Sequence, residues 1–171
     1  MDHAMLLLRL FHVVLGVYWA GTVIFTALYL EPSVRAAGPA GGQVMTQLIR
    51  RGHLNVLPGV GLITILTGLD LYRRVSGGFQ MGWITSRQGV ALTIGASTAV
   101  VALVIGAFVM RPTALRIVAL SESAQQVPEG PERESKLTEI QPLRRRAMVS
   151  IRWLAVLLLV TVATMAVAQY L

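Results

Sequence analysis

Few side chains in this 171-residue sequence could do chemistry, and several of those sit inside apolar runs. Arg9 and His12 lie in the run from Ala4 to Leu30, and Asp70 is near the end of the run from Leu54 to Tyr72. An imidazole, a guanidinium and a carboxylate at one depth could relay a proton or hold an ion, and ionisable groups inside a bilayer are functional candidates by default. With about 1.5 Å of rise per residue, all three fall roughly 9 to 14 Å to the same side of their helix centres, so one polar cluster is open to them. The competing reading is local: Asp70 pairs with Arg73 or Arg74 in the next turn while Arg9 extends to the interface. His3 is a metal candidate, because a free amino terminus, two deprotonated amides and a third-position imidazole give the tetragonal nitrogen set that Cu(II) prefers. At the other end of the helices Glu31, Arg50, Arg51, His53, Arg111 and Arg152 share a level. There Glu31 is expected to pair with Arg111 or Arg152, and His53 reads as a solvated interfacial imidazole.

The elements that must position these groups are four apolar runs, Ala4 to Leu30, Leu54 to Tyr72, Gly89 to Met110 and Trp153 to Leu171. Each is close to the ~20 residues a helix needs to cross the hydrocarbon core. A bilayer offers no water to unpaired backbone groups, so each run must be a helix. The expected fold is all-α: a polytopic membrane protein, one domain over 1–171, with a bundle of four transmembrane helices at about 4–30, 54–72, 89–110 and 150–171. Composition agrees, with 54% hydrophobic and 13% charged residues. The absence of cysteine excludes disulfides, thiolate metal sites and covalent haem attachment. Lys136 is the only lysine and no GxxxxGK[ST] motif occurs, so P-loop nucleotide hydrolysis is excluded as well. Met1-Asp2-His3 lacks the cationic region of a signal peptide, and the first run therefore reads as a membrane helix.

Pro32 is expected to end the first helix at Glu31. Gln43 to Arg51 repeats apolar residues at helical spacing and reads as an interfacial segment. Pro58 should kink the second helix, and Trp83 suits the headgroup level. The third helix can continue past Pro112 until Val127 to Pro131 breaks it, and Pro142 can start the fourth. The segment 111–149 is thus expected to form a cytoplasmic helical hairpin. Small residues mark close contacts in lipid. Gly95, Ala99 and Gly106, with Ala91 and Ala102, form one stripe, and Gly16 and Ala20, with Val23 and Ala27, form another that extends back to His12 and Arg9.

Leu8-Arg9-Leu10-Phe11-His12, Trp19-Ala20-Gly21, Leu66-Thr67-Gly68 and Gly82-Trp83 resemble segments of an uncharacterised group of bacterial four-helix integral membrane proteins. More distantly they resemble the copper-resistance-D and membrane-bound protoporphyrinogen oxidase bundles. The resemblance implies haem b as a cofactor, with His12 at the position of a proposed axial ligand. The second histidine expected on a later helix has no counterpart. His53 lies roughly 20 to 25 Å of bilayer depth from His12 and cannot share its iron. Met165 at the outer level of the fourth helix is an alternative axial ligand, or core filling.

The leading expectation is a non-catalytic integral membrane subunit or assembly factor of a larger respiratory or photosynthetic complex. Its partners would be the lipid bilayer and other membrane subunits, without nucleic acid, since the net charge of +7 suits an anionic membrane surface. The alternatives are a haem b redox protein using His12 and a small-solute or metal transporter. Eleven of the fifteen Lys/Arg fall in the two long connections, which the positive-inside rule places in the cytoplasm of a bacterial inner membrane, with both termini outside. A topology reporter fused after Leu171 should therefore respond as extracytoplasmic and one inserted near Glu129 as cytoplasmic; the reverse at both sites would overturn the orientation.

Overall fold

The computed structural model describes residues 3–171. It is 91% helical, with no strand among those residues. Among the described residues four helices are long and apolar enough to cross a membrane: His3–Ala36, His53–Val75, Arg87–Gln125 and Pro131–Tyr170. They share one core, in which Trp19, Ala20 and Val23 of the first helix meet Ala99 and Ala102 of the third and Leu154, Ala155 and Leu158 of the fourth. Leu57, Val60 and Ile65 of the second helix pack against it. The small stripe of the third helix faces inward as its spacing predicts, Ala102 being fully buried.

The first helix does not stop at Glu31 but runs on to Ala36. Proline cannot donate to the carbonyl four residues back, and its ring collides with that carbonyl. The chain absorbs this in a π-helical turn, Thr26–Leu30, in which the Glu31 N–H bonds to the Thr26 carbonyl. The third helix repeats the device: a π turn over Gly106–Met110, with the Arg111 N–H bonded to the Gly106 carbonyl, directly precedes Pro112. A π turn adds one residue to the local repeat and rotates the helix beyond it. Gly106 accordingly leaves the packing stripe, and a Cβ there would meet nothing within 4 Å.

At about 1.5 Å per residue the 39-residue third helix is roughly 58 Å long, nearly twice the ~30 Å hydrocarbon thickness. Its far end and the start of the fourth helix form the expected hairpin as direct extensions of the membrane helices. Pro142 lies inside the continuous helix Pro131–Val167 and does not start it. Tertiary burial carries the helix through this proline: Ile140 is 1% exposed within the hairpin, and Arg116 pairs with Glu139 across it.

Between the first two spanning helices lies the helix Gly38–Arg50, which begins five residues earlier than expected because Pro39 serves its first turn. At Gly41 a Cβ would lie 2.1 Å from the Val34 carbonyl oxygen, so only glycine lets the chain fold back there. Gly52, with φ +89°, then turns the chain into the second spanning helix, which continues through Pro58. At the opposite end Tyr72 stacks on Phe79 and meets Trp83 edge-on at 5.3 Å. Its hydroxyl is 2.7 Å from Thr93 Oγ1 on the third helix, and Ser86 Oγ caps that helix by accepting the Gly89 N–H.

The contact of the third helix with the fourth supplies a sharp test. A Cβ at Gly95 would lie 2.7 Å from Thr164 Oγ1 and 3.1 Å from Met165 Cγ, whereas Val100 is 45% exposed on the outer face. Gly95→Leu should destabilise the bundle by about 1–3 kcal/mol, and Val100→Leu by less than ~0.5 kcal/mol, measured by unfolding in mixed micelles. Equal tolerance at both positions would show that this face is not a packing surface.

Candidate functional site

Arg9, His12 and Asp70 form no hydrogen bond or ion pair with one another. Asp70 is held by its neighbours, with Arg73 Nη2 at 3.0 Å and Arg74 Nε at 2.9 Å. Arg9 is exposed. His12 turns to the second helix, where its Nδ1–H donates to the Thr64 carbonyl at 2.9 Å and lies 3.3 Å from Thr67 Oγ1. The imidazole edge fills the space over Gly68, where a Cβ would sit 2.7 Å from Cε1. One turn on, Gly16 passes the Thr64 methyl, 3.6 Å from where its Cβ would be. Another turn on, buried Trp19 lies over Gly61, whose Cβ would be 2.9 Å from the indole ring. The spacings 12, 16, 19 on one helix and 68, 64, 61 on the other are the same two steps read in opposite directions, which is an antiparallel fit of large onto small residues.

Met165 belongs to a different seam. It packs over Gly95 between the third and fourth helices, next to a hydrogen bond between Thr98 Oγ1 and Thr161 Oγ1 of 2.8 Å. His12 and Met165 thus pack against different neighbours. His3 is exposed, and the amino terminus its copper set requires, with Met1 and Asp2, lies outside the described residues. Among the described residues no group of three or more His, Cys, Asp and Glu side chains could hold a metal.

A large concavity lies at the other end of the bundle. A cleft of about 1650 Å³ runs from Trp19, Leu57 and Ala102 at the helix midpoints to the Gly38–Arg50 helix and the hairpin, more than the 300–1,000 Å³ common for small-molecule sites. Both π turns line it, through Thr26, Gly106, Ala107 and Met110. Six arginines and two glutamates line it, and half-buried His53 joins them. Glu31 does not form its expected pair: Arg111 instead donates to the Asn55 side-chain oxygen at 2.9 Å, and Arg152 is exposed. Arg50 binds Glu122 at 2.7 Å and ties the Gly38–Arg50 helix to the hairpin. Arg35, Arg144 and Arg145 have no carboxylate within ion-pair distance among the described residues; Arg35 Nη1 points at Met148 Sδ, 3.6 Å away.

Sequence reasoning placed arginines at this level but missed the cleft, whose signal is the paired Glu31-Pro32 and Arg111-Pro112. It also missed Gly61, Thr64 and Gly68 as a stripe, although their steps of three and four were visible. Compared with protein-family models, curated proteins and solved structures, the chain matches none. The cleft offers charge attraction above an apolar floor.

His12 as a seam residue has a spectroscopic and an energetic consequence. Protein isolated with haem available should show no Soret band, and His12→Ala should cost about 0.6 kcal/mol, up to ~1.7 kcal/mol, the range measured for hydrogen bonds between membrane helices. A stoichiometric Soret band lost in His12→Ala would assign the histidine to haem instead.

Proposed function

We propose that this protein is a non-catalytic integral membrane subunit or assembly factor, which docks a larger membrane complex through its protruding hairpin. The hairpin is the observation that carries this reading. The third and fourth helices continue well beyond the ~30 Å hydrocarbon core as one braced pair, tied by Arg116–Glu139 and to the neighbouring helix by Arg50–Glu122. An arm of this kind positions a surface beyond the membrane. Within the spans, polar side chains are engaged in contacts between helices, such as His12 to Thr64, Tyr72 to Thr93 and Thr98 to Thr161. These pairs hold helices together without forming a chain of ionisable groups that a transported ion could follow.

The outer faces support the same reading. Phe11, Val17, Tyr29, Phe108 and Trp153 all project from the bundle, so lipid or other subunits can cover broad apolar faces. The orientation that goes with the proposal places the arginine-rich hairpin in the bacterial cytoplasm and both termini across the inner membrane.

Photo-crosslinking residues in place of Leu115 and Leu137, both exposed on the hairpin, should capture a specific membrane partner in intact cells, and the same complex should be retained after mild solubilisation. Residues placed at lipid-facing Val17 should capture it less. A protein that migrates alone and cross-links at neither hairpin position would contradict an accessory role.

A further inference from the structure

We propose that the cleft at the basic end binds one anionic phospholipid, with the headgroup among Arg35, Arg144 and Arg145 and an acyl chain on the floor made by Trp19, Leu57 and Leu154. The dimensions fit a lipid of a single leaflet. Arg144 and Leu154 are ten residues apart on one helix, about 15 Å, and Trp19 and Arg35 sixteen residues apart, about 24 Å along their helix. The cleft therefore spans the ~15 Å half-thickness of the hydrocarbon core and the headgroup layer above it.

Charge selects the headgroup. Arg50 is already paired with Glu122 and Arg111 is bonded to Asn55, but Arg35, Arg144 and Arg145 carry charge that no protein carboxylate neutralises among the described residues. Arg35 reaches to the face of the fourth helix that carries Arg144 and Arg145, since it meets Met148 one turn on. Guanidinium groups suit phosphate by geometry as well as charge, offering paired N–H donors to paired oxygens. The apolar floor at membrane depth favours an anion with a hydrocarbon chain over a free one. A bound lipid would also cover the residues of both π turns that line the cleft, Thr26, Gly106, Ala107 and Met110. This proposal does not depend on any partner complex.

The test uses the intact chain with Trp83→Phe and Trp153→Phe, which leaves Trp19 as the only tryptophan. In phosphatidylcholine vesicles containing a minor fraction of brominated phosphatidylglycerol, Trp19 should be quenched several-fold more than with the same fraction of brominated phosphatidylcholine. Arg144→Ala and Arg145→Ala should each weaken the preference about fivefold, the factor equivalent to the ~1 kcal/mol that one basic side chain contributes at an anionic membrane surface. Arg35→Gln should act in the same direction if either alanine variant fails to fold, and Arg87→Ala at the far end should leave the preference intact. Equal quenching by the two lipids, or a preference that survives loss of both Arg144 and Arg145, would overturn the proposal. Abolition by excess inorganic phosphate would assign the cleft to a soluble anion and overturn the lipid as occupant.

Discussion

Close approach of the first two helices is the constraint on which the bundle rests. Between helices in lipid there is no water to exclude, so association depends on atomic fit and on hydrogen bonds made in a medium that offers few competitors. His12 over Gly68, Gly16 against Thr64 and Trp19 over Gly61 supply both at one seam. The same glycines that admit the rings fix the register, since a shift by one residue along either helix would put side chain against side chain. The third and fourth helices repeat the principle with Gly95 against Thr164 and Met165, and Thr98 against Thr161. Two antiparallel hairpins then share a core around Trp19, Ala102 and Leu158.

Tightness toward the termini contrasts with opening at the basic end. Pro32 and Pro112 occupy corresponding places in the two helices that run in the same direction, each after a π turn. Past those turns the third and fourth helices stay paired as the hairpin, and the cleft opens between them, the first helix and the Gly38–Arg50 helix. Arginines from the first helix, the Gly38–Arg50 helix and the fourth helix are thereby brought to one mouth without acids enough to neutralise them. Ionisable groups collected at a membrane boundary in this way favour anionic surfaces, whereas the His12 imidazole is committed to holding two helices together.

Much of this was legible in the residues. Apolar run length determined the four helices, the three-and-four spacing of Ala91 to Ala102 determined which face of the third is buried, and Asp70 with Arg73 and Arg74 already announced a local pair. What could not be read was decided by competition between local and tertiary terms. Pro32 and Pro142 are poor helix residues, but a π turn at one and the packed hairpin around Ile140 at the other kept the helices continuous. The fit of His12 to Gly68 requires knowing which helix lies beside the first, and spacing within one helix carries no such information. The cleft is less legible still, being a place where side chains fail to meet.

Stability of Gly68→Ala in the wild-type and His12→Ala backgrounds, from unfolding in mixed micelles, tests the seam most directly. If the imidazole and the glycine fit each other, the methyl should destabilise the wild type by about 1–3 kcal/mol, and His12→Ala should recover at least ~1 kcal/mol of that loss, a coupling typical of residues in contact. Effects that add within ~0.5 kcal/mol would mean that the two residues do not touch, and the first two helices would then be held by something other than this fit.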